Sequence, residues 1–185
     1  MGCNSMLSKK KVKCFGVTNR IQETNDGEYV VFLDYDNISF DNLNKEVKRM
    51  VDKWDLGWTY YIQTDDDMMH WHIICPSIVN VYEYLGILWD SSCDMPYKKS
   101  FFVLKEKSLR ISSKNDGRET VYPKVYAVAE TESKRLYSTA HIEFLKHYYS
   151  AKIPLCDRYK ETEIEMVEYK TSHIKGAGPD AVTSS

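Results

Sequence analysis

The apolar positions fall into short runs of strand length separated by stripes of helical period. Tyr29-Val-Val-Phe-Leu-Asp-Tyr-Asp-Asn37 is β-branched and aromatic and lies between Asn25-Asp26-Gly27 and Asn37, which predicts a strand. Leu43, Val47, Met50, Val51 and Trp54 recur on one helical face, so a helix is expected from about Phe40 to Trp54, capped by Ser39 and ended by Gly57. Trp58 to Thr64 and Met69 to Cys75 read as a hairpin turning at Asp65-Asp-Asp67, with Pro76 expected to stop the second strand. Residues 78–90 follow as a helix burying Ile78, Val81, Tyr82, Leu85 and Leu88, and Asp90 to Asp94 as a loop leading into another strand. Strands are expected at Lys11–Thr18, at Leu109–Ser112 before a turn at Asn115-Asp-Gly117, and at Thr120–Ala129, where Pro123 indicates an edge. A helix over Ser133–Tyr149 would turn Leu136, Ala140, Phe144 and Tyr148 to the core.

With 185 residues and 43% hydrophobic content, the chain can form one domain with a proper core. The expected organisation is a flexible basic lead over 1–10, a domain over 11–169 and a disordered tail over 170–185. A net charge of −2 argues against broad attraction to nucleic acid but leaves room for a local basic patch. The five cysteines are scattered without a C-x-x-C pair, which fits a reducing compartment and gives no zinc or iron–sulfur signature. No apolar run approaches the roughly 18 residues of a membrane span. The opening Met1-Gly-Cys-Asn-Ser-Met6 hints at myristoylation, but Met6 stands where Ser or Thr is wanted.

Three clusters carry chemistry. Asp34 and Asp36 leave one face of their strand while Leu33 and Tyr35 leave the other. Paired carboxylates repel unless a cation lies between them, which makes a cradle for Mg²⁺ or Mn²⁺; the plain alternative is a solvated strand end. His70 and His72 share a face of the returning strand and could gather with the two acids, although single histidines are usually core or edge residues. Asp90 or Asp94 could supply a third carboxylate. Lys98, Lys99, Lys105, Lys107, Arg110, Lys114 and Arg118 stand against only Glu106 and Asp116, a density that suits a triphosphate or a solvated basic hairpin.

The ordered series Leu33-Asp34-Tyr35-Asp36, His70-Trp71-His72, Cys93-Asp94 and Arg110-Ile-Ser-Ser-Lys114 resembles the archaeo-eukaryotic primase superfamily, including the primase-polymerases. It departs where His70 replaces a small residue, and it covers roughly Val30 to Val128. The resemblance implies a reduced α+β catalytic core, an RRM-like antiparallel sheet with helices packed on one face. It implies a primase or DNA polymerase that adds nucleotides to a primer or initiating nucleotide on a single-stranded DNA template by two-metal catalysis. Asp34, Asp36 and Asp94 would hold Mg²⁺ or Mn²⁺, and Asp94 fits the third motif better than Asp90. His72, Arg110 and Lys114 would grip the nucleoside triphosphate. Lys98, Lys99, Arg118 and exposed aromatics such as Tyr97 would bind the template or primer-template. Only about 30 residues precede the first motif, and no helicase, zinc-binding or iron–sulfur segment follows, so a minimal core is expected. Such a core would work in the cytoplasm, or the host cytoplasm for a plasmid or virus, with a helicase or other replication proteins and no membrane.

Three other readings compete. His70-Trp-His72 also satisfies the His-hydrophobic-His motif of rolling-circle replication nickases, with Tyr148 or Tyr149 as nucleophile. A non-catalytic nucleic-acid-binding sheet would leave the acids incidental. Phe-Leu-Asp-Tyr-Asp-Asn37 resembles the NYN ribonuclease opening, without the later acidic cluster it needs. The polymerase reading makes a geometric demand: His72 and Lys114 must lie on the same side of the sheet as Asp34.

Overall fold

The computed structural model of the chain describes residues 13–21, 27–111 and 123–170. The expected basic lead over 1–10, Lys114, Arg118, the turn at Asn115–Gly117 and the tail beyond Lys170 lie outside them. The elements run β1 (Lys13–Thr18), β2 (Glu28–Tyr35), α1 (Phe40–Trp54), β3 (Thr59–Gln63), β4 (Trp71–Asn80), α2 (Val81–Asp90), α3 (Met95–Leu104), β5 (Ser108–Arg110), β6 (Lys124–Ala129), β7 (Tyr137–Ser138), α4 (Thr139–Tyr149), β8 (Tyr159–Lys160) and β9 (Met166–Lys170).

The fold is mixed α+β, built on antiparallel pairing. β4 lies between β2 and β3, and β6 closes the outer edge of β3 as the proline had indicated. The far end of β4 pairs with β7, which carries β8 in parallel. β1 stands between β5 and β9 in a separate sheet.

Period-two alternation divides the core into two layers. Leu33 and Tyr35 of β2 and Trp71, Ile73 and Cys75 of β4 pack against Leu43, Val47 and Met50 of α1 and Tyr84 and Ile87 of α2. Val30, Phe32, Ile62 and Ile74 turn the other way, onto Val17 of β1, Leu109 of β5 and Leu145 of α4. The expectation of helices on one face therefore holds for α1 and α2 but not for α4. The central strands are apolar on both sides, and an antiparallel sheet of that kind needs cover on both.

Four local expectations are corrected. β4 continues through Pro76 to Asn80, because the register with β2 slips between Tyr29 and Val31 and the proline falls where no ladder donor is required. The segment after Asp94 is a helix, not a strand: Asp94 is its N-cap residue and Pro96 occupies its first turn, where the missing N–H costs nothing. α4 begins only at Thr139, with the Ser138 hydroxyl accepting from the His141 amide, and buries His141, Ile142 and Leu145. Leu136 and Tyr148 are each 47% exposed. In α2 the buried stripe is Tyr84, Ile87 and Leu88, and Tyr82 is 82% exposed. Its nearly continuous apolar run marks no face by itself; the Asn80–Glu83 capping box sets where the helix starts and hence which side turns inward.

Arg135 ties the end of α1 to α2. Its guanidinium donates to the Trp54 and Asp55 carbonyls at the end of α1 and to Glu83 of α2, at 2.7 Å for the shorter Glu83 bond. These bonds satisfy carbonyls left open by the helix and place a cation at its negative end. Arg135→Ala is expected to cost roughly 1.5–3 kcal/mol, read as a lower urea midpoint with unchanged slope.

Candidate functional site

The site forms where β2 ends. Asp34 lies on the same face as Val30 and Phe32, and its register partner across the ladder is His72. His72 Nε2 stands 3.6 Å from Asp34 Oδ1. The chain then leaves the sheet at Asn37, whose left-handed φ of 58° an asparagine tolerates. The Ile38 amide donates to the Met69 carbonyl and Trp71 Nε1 to the Ile38 carbonyl, each at 3.1 Å. This lacing sets Asp36 beside His70, whose Nδ1–H donates to Asp36 Oδ1 at 2.6 Å while Nε2 lies 3.4 Å from Asp67.

Asp94 joins from the loop between α2 and α3. Its amide donates to the Asp34 carbonyl at 3.3 Å, and its carboxyl is hydrogen-bonded to Asp36. Glu46 of α1 steadies that loop, accepting from the Ser92 amide at 2.6 Å, from the Ser92 hydroxyl and from the Tyr35 hydroxyl at 2.8 Å. Asp90, the other candidate, is bound instead by Arg49 at 2.9 Å and Lys53 at 3.0 Å on the flank of α1. Geometry thus selects Asp94 over Asp90 as the neighbour of Asp34 and Asp36.

The electrostatics follow from this crowding. Burial, then the charges of Asp36 and Asp94, push the Asp34 carboxyl up to about 6. Burial and the hydrogen bond to Asp36 raise Asp94 as well. Burial also works on Asp36, but the hydrogen bonds from His70 and Asp94 outweigh it and hold its carboxyl below the usual range. His70 is raised, chiefly by its bond to Asp36. His72 is driven down to about 3 by burial and by the charge of Arg110, so its imidazole is neutral. Its buried Nδ1 has no hydrogen-bond partner among the described residues.

Of the residues expected at the phosphates, His72 lies beside Asp34 and the Arg110 charge bears on both. The expected nucleic-acid contacts fare differently. Lys98 is buried and donates to the Ser91 carbonyl, so it braces the Asp94 loop rather than reaching a template. Tyr97 is half-buried, its hydroxyl on the Phe32 carbonyl at 3.0 Å. Lys99 is exposed.

Two contributors were not singled out from sequence, Glu46 and Lys107, whereas His70, expected to gather with the acids, does so as the partner of Asp36. The Lys107 ammonium is buried over the Tyr97 ring, 3.6 Å from its centre, and donates to the Tyr97 carbonyl and the Ser100 hydroxyl. Burial lowers it to about 8, opposed by the charges of Cys93 and Asp34. Nothing in the basic stretch distinguishes Lys107 from its neighbours, because the distinction lies in what folds over it.

Among the described residues, no three His, Cys, Asp or Glu side chains already stand as a group able to hold an ion. The donor set nevertheless fits a hard divalent cation: carboxylate oxygens, crowded enough that Asp34 and Asp94 are both raised, next to a neutral imidazole whose Nδ1 has no partner among the described residues. Compared with known proteins, the chain matches no family model, no curated protein and no solved structure.

Proposed function

We propose that this chain is a template-dependent nucleotidyltransferase of the primase-polymerase kind, acting on nucleoside triphosphates and a single-stranded DNA template. The observation that carries the reading is the meeting of Asp34, Asp36 and Asp94 at the end of β2, with His72 on the same sheet face and the Arg110 charge within range. Segments from β2, β4, the α2–α3 loop and β5 converge there although nearly half of the domain separates the first from the last. The β2–α1–β3–β4–α2 order, with β4 between β2 and β3, supports an RRM-like core.

Asp34, Asp36 and Asp94 would hold Mg²⁺ or Mn²⁺, which when bound supplies charge neutralisation at the phosphates and a more acidic attacking hydroxyl. His70 keeps the Asp36 carboxylate ionised and oriented. His72, being neutral, serves as a hydrogen-bond donor to a phosphate oxygen rather than as a cation. Arg110 supplies the positive charge, in a fork that matches phosphate geometry. Catalysis by these groups is positioning and charge stabilisation.

The test is incubation with a primed or bare single-stranded template, labelled nucleotides and Mn²⁺. Metal-dependent extension supports the reading; strand cleavage that leaves a tyrosine–DNA adduct replaces it with the nickase. For that alternative, Tyr148 spends its hydroxyl on the Ile111 carbonyl at 2.7 Å, and burial raises Tyr149.

A second measurement needs no turnover. The Asp34 carboxyl is raised from 3.8 to about 6, so the stability it contributes is present below 3.8 and lost as pH rises through 6. Above that pH the ionised carboxylate strains the fold and is free to take a cation. Mn²⁺ is therefore expected to raise the melting temperature clearly above pH 7 and far less near pH 5. Equal shifts at both values, or none, would count against the cradle.

A further inference from the structure

The apolar surface at the junction of α2 and α3 has no assigned role. Trp89, in the last turn of α2, is 50% exposed, and Phe102 of α3 is 47% exposed. Their ring centres are 6.1 Å apart with planes inclined at 39°, so the two half-exposed rings adjoin in one patch. Lys98, anchored on the Ser91 carbonyl, places its ammonium 5.6 Å from the centre of the Trp89 ring. Helical spacing puts exposed Met95 and Lys99 on the same outward side of α3 as Phe102, with Val103 beside them.

Charge decides between possible occupants. From Met95 to Lys105 the sequence carries Lys98, Lys99 and Lys105 and no carboxylate, in a chain whose net charge is −2. Cations around exposed aromatic faces match a polyanion whose bases can stack, which is single-stranded nucleic acid. Position points the same way. α3 starts at its cap residue Asp94, beside Asp34 and Asp36, and rises about 1.5 Å per residue, so Phe102 lies roughly 12 Å along the helix from the carboxylates.

We infer that Trp89 and Phe102, with Lys99 and Lys105, form a stacking platform that holds the single strand as it leaves the Asp34–Asp36–Asp94 cleft. This assigns the nucleic-acid track to α2 and α3, in place of Lys98 and Tyr97. As an account of template binding it rests on the polymerase reading; as a binding surface it stands by itself.

Binding is measured by fluorescence anisotropy of a labelled oligodeoxythymidine of about 20 nucleotides, without nucleotides or divalent metal, so that no catalysis is required. Trp89→Ala and Phe102→Ala are each expected to weaken binding by roughly five- to hundredfold, and Trp89→Phe to retain most of it. Binding to a duplex of equal length, whose bases are already stacked, should change little. Lys99→Glu should weaken binding to both and flatten the salt dependence. Circular dichroism checks that each variant is folded. If the alanine variants bind the oligonucleotide as the parent does, the platform is wrong; if they also dissociate a dimer in sedimentation, the surface is an interface between copies. The two proposals fail separately. Weakened binding in a protein without extension activity sinks the polymerase and leaves the platform, whereas Mn²⁺-dependent extension unaffected by Trp89→Ala at limiting template sinks the platform and leaves the polymerase.

Discussion

Replacing Asp34 by Asn is expected, on the proposed polymerase reading, to lower nucleotide addition by about a hundredfold or more, and at the same time to make the metal-free protein more stable. Both effects come from one arrangement. Asp34 is partly buried, faces neutral His72 and has Asp36 and Asp94 beside it, so ionisation is resisted by burial first and by like charge second. An amide fills the same space without the charge, so repulsion near neutral pH disappears. It also removes the oxygen charge that a cation and the triphosphate chemistry need. The melting temperature should rise by about 2–4 °C for each kcal/mol of relieved repulsion, and the Mn²⁺ shift seen in the parent should vanish. Asp90→Asn is the matched control. Asp90 is held by Arg49 and Lys53 away from the cluster, so its loss should leave extension and the Mn²⁺ shift in place. If Asp34→Asn extends primers normally, or Asp90→Asn is the variant that fails, the assignment of the cluster is wrong.

Trp71→Ala is expected to give the largest loss of stability, about 3–5 kcal/mol, or a fall in melting temperature of roughly 6–20 °C. The indole is fully buried under the sheet, on the face opposite His70 and His72. Phe40 and Tyr126 meet it at 5.4 and 5.2 Å between ring centres, and its N–H holds the Ile38 carbonyl. Truncation opens a cavity too large to collapse and leaves that carbonyl unpaired. Because the Ile38 bond laces the loop after Asp36 to the start of β4, the same change should loosen the His70–Asp36 pair. Trp71→Phe keeps most of the volume but not the donor, so it should recover stability more fully than it recovers extension. Thermal unfolding by circular dichroism, alongside the extension assay, reads both; a shift of only a degree or two for Trp71→Ala would show that the layer beneath the site is far looser than its packing implies.

Where the sequence misled, a local rule met a tertiary constraint. Pro76 looked like a strand terminator, yet the irregular register opposite Tyr29 and Val31 accommodates it. Residues 133–138 were expected to continue α4, but Tyr137 is drawn into extended pairing with Ser77 of β4, and the helix starts only after Ser138. Lys98 read as one more surface cation in a basic stretch, and folding buried it under Trp89 and onto Ser91.

Alternation by itself determined that Asp34 takes the side of β2 opposite Leu33 and Tyr35, and His72 the side of β4 opposite Trp71 and Ile73, since a strand exposes successive residues to opposite faces wherever it is placed. The α1 stripe was determined in the same way. Only the tertiary structure decided that β4 lies against β2 in the register that sets His72 opposite Asp34, that Asp94 and not Asp90 closes the carboxylate cluster, and that Glu46 and Lys107 support it. Those outcomes depend on contacts between segments far apart in the chain, and on which polar groups the fold removes from water. Neither quantity is carried by the local order of residues.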